Sequence, residues 1–166
     1  MKTERLIIDK IKPSDRNAYF LNISHDKKVL ETFICNYCGA VDELDISRYV
    51  GRDDMFAIRL GDTGEFIGLI LYFDVKDETC EIGYGIGSKY WGRGYATEAV
   101  RRFIEYLFDS GFGCVRASFF EGNDASRRVM EKCGMRFSHV AEKELTYLGV
   151  ERDLLYYEIK KEWKNE

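Results

Sequence analysis

Hydrophobic residues recur along this chain with two periods, one of two residues and one of three to four, which mark strands and helices respectively. Leu6 to Ile11 alternates and predicts a first strand. Pro13-Ser14-Asp15 follows as a helix start, because proline fits a first turn and Ser or Asp can cap it. That helix is expected to reach about Ile23. Residues 27–36 hold a weaker helical pattern, and Val41 to about Val50 predicts a further helix. Met55 to Leu60 and Phe66 to Val75 then read as strands joined by Gly61-Asp62-Thr63-Gly64-Glu65, a segment rich in residues that tolerate positive φ and bond locally. After a turn at Lys76-Asp77-Glu78, Thr79 to Ile86 completes three antiparallel strands in succession.

The period then changes. Gly87 to Gly94 is a glycine-punctuated loop, and from Tyr95 to about Ser110 apolar residues stand at Ala96, Ala99, Val100, Phe103, Ile104, Leu107 and Phe108. Those steps of three and four define one helical face, and Gly111 ends it. Val115 to Phe120 predicts a fifth strand. Asn123 or Asp124 caps a helix through about Cys133, closed by Gly134. Phe137 to about Tyr147 and Asp153 to Lys161 predict two last strands around Leu148-Gly149-Val150-Glu151. The sum is an α+β fold, with a seven-strand, mostly antiparallel sheet and helices on both faces, in a single domain over residues 1–166.

Composition acts mainly by exclusion. A length of 166 residues, 45% of them hydrophobic, suffices for one full core. The net charge of -4 comes from interspersed residues of both signs, so neither nucleic acid nor an anionic membrane is expected as a partner. Charges break the apolar residues of the first nine positions too early for a signal peptide, and no apolar run approaches the ~18 residues of a membrane span, so the chain is expected in the cytoplasm. Five cysteines at irregular spacing make no disulfide framework. Cys35-Asn36-Tyr37-Cys38 has neither the second pair of a zinc site nor a thioredoxin-like context, and His25 and His139 stand alone, so no metal is expected.

The segment with chemistry is Glu81-Ile82-Gly83-Tyr84-Gly85-Ile86 followed by Gly87-Ser88-Lys89-Tyr90-Trp91-Gly92-Arg93-Gly94-Tyr95-Ala96-Thr97. A strand runs through a glycine loop into a helix start. Helix N-termini expose unpaired N–H groups and partial positive charge, and glycines let a large anion approach the backbone, so the construction suits a pyrophosphate. The spacing is not that of a P-loop, which needs Gly-Lys-Ser/Thr after four intervening residues, nor of a dinucleotide fingerprint, which needs a third glycine and a parallel βαβ unit. By spacing alone, a glycine-rich connection without a ligand stands beside the pyrophosphate reading.

The segment resembles the acetyl-CoA loop of the GCN5-related N-acetyltransferases, the GNAT superfamily. The family pattern Gln/Arg-x-x-Gly-x-Gly/Ala reads here Trp91-x-x-Gly94-x-Ala96. Tyr90 to Ala99, the opening Thr3-Glu4-Arg5-Leu6, and Asn123-Asp124-Ala125-Ser126 leading to Glu131-Lys132-Cys133-Gly134-Met135 are similar to the branch with the ribosomal-protein N-terminal acetyltransferases. The resemblance covers nearly the whole chain. It implies acetyl-CoA as co-substrate, a primary amine as acceptor, and a sheet splayed between strands four and five. Backbone amides of Gly92, Arg93, Gly94, Tyr95, Ala96 and Thr97 would hold the pyrophosphate, with more of the load on them because Trp91 brings no charge. Arg93 could add one. Pantetheine would lie along Ile82, Tyr84 and Ile86, which also gives a reason for glycines at 83, 85 and 87.

For catalysis the resemblance implies Glu81 as the carboxylate that takes the amine's proton, directly or through water, and backbone N–H groups near Tyr84 and Gly85 as the oxyanion donors. Many members place a tyrosine where this chain has Met130, leaving Ser126, close to the sulfur, and Asn123, bonded to pantetheine or a water, as substitutes. The acceptor is left open among a protein N-terminal α-amine, a polyamine, an amino sugar and an amino acid derivative. Acyl groups larger than acetyl depend on the space near Ile86 and Phe120. Residues 13–50 and 148–152, with Phe33, Tyr37 and Tyr147, are the expected acceptor side. A non-catalytic coenzyme A-binding module is the alternative reading, and a homodimer through a sheet edge or an exposed aromatic patch is left open.

Overall fold

A computed structural model describes residues 1–162 of the protein. Its seven strands are β1 (Leu6–Lys10), β2 (Met55–Leu60), β3 (Phe66–Lys76), β4 (Thr79–Ile86), β5 (Cys114–Phe120), β6 (Arg136–Tyr147) and β7 (Val150–Lys160). They form one sheet in the order β1-β2-β3-β4-β5-β7-β6, antiparallel except for the parallel pair β4–β5. This is the α+β architecture that the periodicities predict. Four α-helices accompany the strands: α1 (Arg16–Tyr19), α2 (Lys27–Leu30), α3 (Tyr95–Asp109) and α4 (Asp124–Lys132).

Two compact units are distinguished, Met1–Leu71 with Tyr84–Arg102, and Tyr72–Gly83 with the residues from Phe103 onward. In the first, Ile11, Tyr19, Ile23, Val29, Leu44, Met55, Ala57, Phe66 and Leu69 close a core. Tyr19 stacks on Tyr49 at 5.0 Å. In the second, Tyr72 meets Phe103 and Phe112, while Phe119 meets Tyr157. The apolar face read along α3 is buried at Ala99, Val100, Phe103, Ile104 and Leu107.

Three expectations are corrected. The helix from Pro13 to Ile23 is a 3-10 turn at Pro13–Asp15, α1, and a π turn at Phe20–Ser24. The π turn faces Asn22 inward, where its amide donates to Phe66 O at 2.8 Å. No continuous helix occupies 41–50. Leu44 is extended between two 3-10 turns, and Asp45 spends its carboxylate on the amide and hydroxyl of Ser47, a local bond that competes with helix propagation. The four-residue connection expected at 148–151 is a two-residue turn, with Leu148 and Gly149 at φ 51° and 74°, so β7 starts earlier.

The parallel ladder between β4 and β5 is short. Thr79, Cys80, Glu81 and Ile82 face Cys114, Val115, Arg116 and Ala117; β4 then continues to Ile86 and β5 to Phe120.

Candidate active site

In the first unit the glycine loop is built as a bare backbone surface. Gly92 and Gly94 sit at φ 75° and 80°, the left-handed region that side chains disfavour, and a Cβ on Gly92 would meet nothing within 4 Å. Gly92, Arg93 and Gly94 are exposed, and α3 begins at once with Tyr95, Ala96 and Thr97 in its first turn. The first helical bond runs from Glu98 N to Gly94 O at 3.1 Å, so the amides before it point out of the helix end. This arrangement suits a pyrophosphate.

Trp91 has a local task there. Its indole Nε1 donates to Ile86 O at 2.7 Å, clamping the loop to the end of β4. Ser88 N donates to Asp26 Oδ2 at 2.8 Å, and the other oxygen of Asp26 caps α2. The glycines of β4 answer to packing. A Cβ on Gly85 would press on the Phe33 ring at 3.2 Å, and one on Gly87 would come within 2.9 Å of the Asn22 Cβ. Neighbouring side chains are therefore reason enough for glycine at both positions.

Arg5 and Glu98, which lie in the resembling motifs but carry no site role in the sequence reading, hold this loop. The Arg5 guanidinium pairs with Glu98 Oε2 at 2.6 Å, donates to Arg93 O at 2.9 Å and lies 4.7 Å from the centre of the Tyr95 ring. Glu98 Oε1 accepts from the Thr3 hydroxyl at 2.6 Å and from Arg5 N at 2.9 Å. The Thr3-Glu4-Arg5-Leu6 motif was the available signal, but its partner 93 positions along could not be read from spacing.

In the second unit Glu81 is 6% exposed, and Ser118 of β5 donates its hydroxyl proton to Glu81 Oε1 at 2.7 Å. Burial pushes the Glu81 carboxyl above its ordinary value. The Ser118 bond and the Arg116 charge pull it back without cancelling the rise, and Asp74 adds to it. Ile82 is buried beside Glu81. Tyr84 and Ile86 lie farther along β4, in the first unit.

Asn123 and Ser126 meet at the start of α4, where Asn123 Oδ1 accepts from Ser126 N at 3.3 Å as an N-cap. Met130 is fully buried, so the position where the resemblance implies a tyrosine is a packing position here. Burial pushes the Cys35 and Cys80 thiols up to about 12, which makes poor nucleophiles of them. Among the described residues no group of three or more His, Cys, Asp or Glu could hold a metal ion. None of the described helices is long and apolar enough to cross a membrane.

The family profile of the acetyltransferase (GNAT) domain matches residues 5–136. The chain belongs to the GNAT acetyltransferase family. It is 29% identical over 176 residues to a Bacillus subtilis (strain 168) protein named uncharacterized N-acetyltransferase YoaA, covering 97% of this chain and 96% of that one. It is similar to a GNAT-family acetyltransferase crystal structure from Bacillus anthracis, at TM-score 0.87 and 28% identity over 96% and 97% of the two chains. The fold also matches spermidine N-acetyltransferase from Vibrio cholerae in complex with CoA and spermine, at TM-score 0.81 and 16% identity over 95% and 96%. This GNAT enzyme is an acyl-CoA-dependent N-acyltransferase, with acetyl-CoA as co-substrate and an amine as acceptor. Membership of an enzyme family decides against the non-catalytic binding module.

Proposed function

We propose that residues 1–166 act as one catalytic domain in which Glu81 deprotonates a primary amine for direct attack on the thioester in a ternary complex; residues 163–166 lie outside the described ones. The observation that carries this reading is the buried Glu81 carboxyl, oriented by Ser118 at 2.7 Å. A lysine-like amine (pKa ~10) or an α-amine (~8) arrives mostly protonated at neutral pH, and attack needs the free base. A carboxylate whose pKa burial has raised is a better-matched acceptor for that proton than an exposed one. Backbone N–H groups near Tyr84 and Gly85 would receive the oxyanion. The thiolate, with an ordinary thiol pKa of ~8.5, leaves without strong acid help, and Ser126 and Asn123 at the α4 start would steady it.

On the coenzyme side, amides of Gly92, Arg93, Gly94, Tyr95, Ala96 and Thr97 take the pyrophosphate, with Trp91 holding the loop. The acceptor is a protein α-amine or a small-molecule amine. A cytoplasmic enzyme without a nucleic-acid partner belongs to the same reading, and exposed Phe137, Val140, Leu148 and Val150 on the β6–β7 hairpin offer a surface for a second copy.

The test is thiol release from acetyl-CoA with N-terminal peptides, spermidine and aminoglycosides, comparing wild type with Glu81→Gln. The variant should keep its affinity for coenzyme A and lose at least tenfold in kcat. Turnover unchanged across pH would remove Glu81 from the role of base.

A further inference from the structure

We propose that Ser118 is a positioning residue for catalysis: its hydroxyl, braced by Tyr156, fixes one oxygen of Glu81 so that the other is offered to the acceptor amine. This rests on the reading of Glu81 as the base.

Glu81 lies opposite Arg116, and period two places Arg116 and Ser118 on the same face of β5. Ser118 lies opposite Tyr156 on β7, and Tyr156 lies opposite His139 on β6. The two rings stack at 4.7 Å with planes 4° apart. Strands β4, β5, β7 and β6 thus each contribute a polar side chain to one patch. Ser118 gives its proton to Glu81 Oε1 and shares a side-chain hydrogen bond with Tyr156, its cross-strand neighbour on β7. The stack on His139 fixes the phenol, the phenol fixes the hydroxyl, and the hydroxyl fixes the carboxylate.

The charged and titratable groups around this chain are few. Arg116 and Asp74 act on Glu81 and pair with each other at 3.3 Å. Glu144 and Glu81 act on Tyr156, His139 stacks on it, and Glu158 lies opposite Arg116. A hydroxyl donating to a carboxylate favours the charged form and lowers its pKa. Ser118 thereby opposes burial and keeps Glu81 ionised, and able to accept a proton, at lower pH.

The experiment uses the full chain with two readouts. The Glu81 carboxyl is titrated by 13C NMR, and kcat/KM for the amine is measured against pH at saturating acetyl-CoA, with spermidine and a tetrapeptide bearing a free α-amine as probes. In Ser118→Ala both the carboxyl titration and the acidic limb should move up by roughly one pH unit, with KM for acetyl-CoA unchanged. Ser118→Thr should restore both, and Tyr156→Phe, which keeps the stack, should move both in the same direction by less. A carboxyl that titrates as in wild type in Ser118→Ala and Tyr156→Phe overturns the proposal, whether or not either probe is turned over. So does a shifted carboxyl with an unmoved acidic limb. If Glu81→Gln lowers kcat while Ser118→Ala leaves the limb in place, Ser118 is excluded and Glu81 stands as base. If Glu81→Gln has no effect, the reading of the base falls first.

Discussion

Two residues outside the predicted site have consequences that single substitutions can expose. Arg59 is the clearest. Its guanidinium, 7% exposed, forks onto both oxygens of Asp15 at 2.7 Å and reaches Asp9 Oδ1 at 2.6 Å. Burial would push the Asp15 carboxyl up, but the Arg59 bonds, the Lys12 amide and the nearby charges outweigh it and hold the carboxyl below its ordinary value. A folded-state pKa below the unfolded one gives stability that is complete above the unfolded value and is lost as pH falls through the folded one. Urea midpoints of the wild type should therefore fall below about pH 4, and Asp15→Asn should flatten that slope. Breaking the pair from the other side, Arg59→Met should cost about 3 kcal/mol at pH 7 because the buried Asp15 carboxylate, and the half-buried Asp9 beside it, lose their partner. Arg5 makes the opposite prediction. Its pair with Glu98 is partly exposed and contributes little to stability, yet Arg5 ties down the glycine loop through Arg93 O. Arg5→Ala should raise KM for acetyl-CoA roughly tenfold with kcat and melting temperature nearly unchanged. A drop in kcat at saturating acetyl-CoA would show that Arg5 acts beyond the loop.

Among the elements, β3 and β4 carry the tightest constraint. A Cβ on Gly68 would sit 2.3 Å from Gly85 O and 2.8 Å from the Ile86 side chain. Backbone cannot yield there as a flexible side chain could, so Gly68→Ala should destabilise the fold by about 1–3 kcal/mol, read from urea unfolding. A neutral result would mean that β3 and β4 can separate at this point. Regular elements were the easiest to read. β2 and β4 have the predicted bounds, and α3 ends one residue early, at Asp109, ahead of Gly111 at φ 104°. Each carries its signal within itself, as alternation, three-four spacing or a terminating glycine. Residues 13–50 were harder, because Asn22, Asp26 and Asp45 bond to backbone groups whose positions come from Phe66, Ser88 and local turns.

Over the whole molecule, coenzyme binding and stability are linked. A ligand at about 100 times its Kd adds about 2.7 kcal/mol to the folded state, which for a chain of this size is roughly 5–10 °C in melting temperature. Acetyl-CoA should produce that rise in wild type and a smaller one in Gly94→Val, measured by thermal unfolding. Equal rises in both proteins would detach the loop from coenzyme binding. The sequence by itself determined the α+β class, six of the seven strands to within two residues of their ends, the long helix, and the loop and helix start that suit a pyrophosphate, because these are local: a period, a cap, a glycine. The family resemblance added Glu81 as the candidate base. Only the tertiary structure decided that Ser118 is the group bonded to Glu81, that Arg5 and Glu98 secure the loop, and that a Cβ at 85 or 87 would crowd Phe33 or Asn22. Each of those joins positions far apart in the chain, and the strand register and packing that bring them together leave no periodic trace in either segment alone.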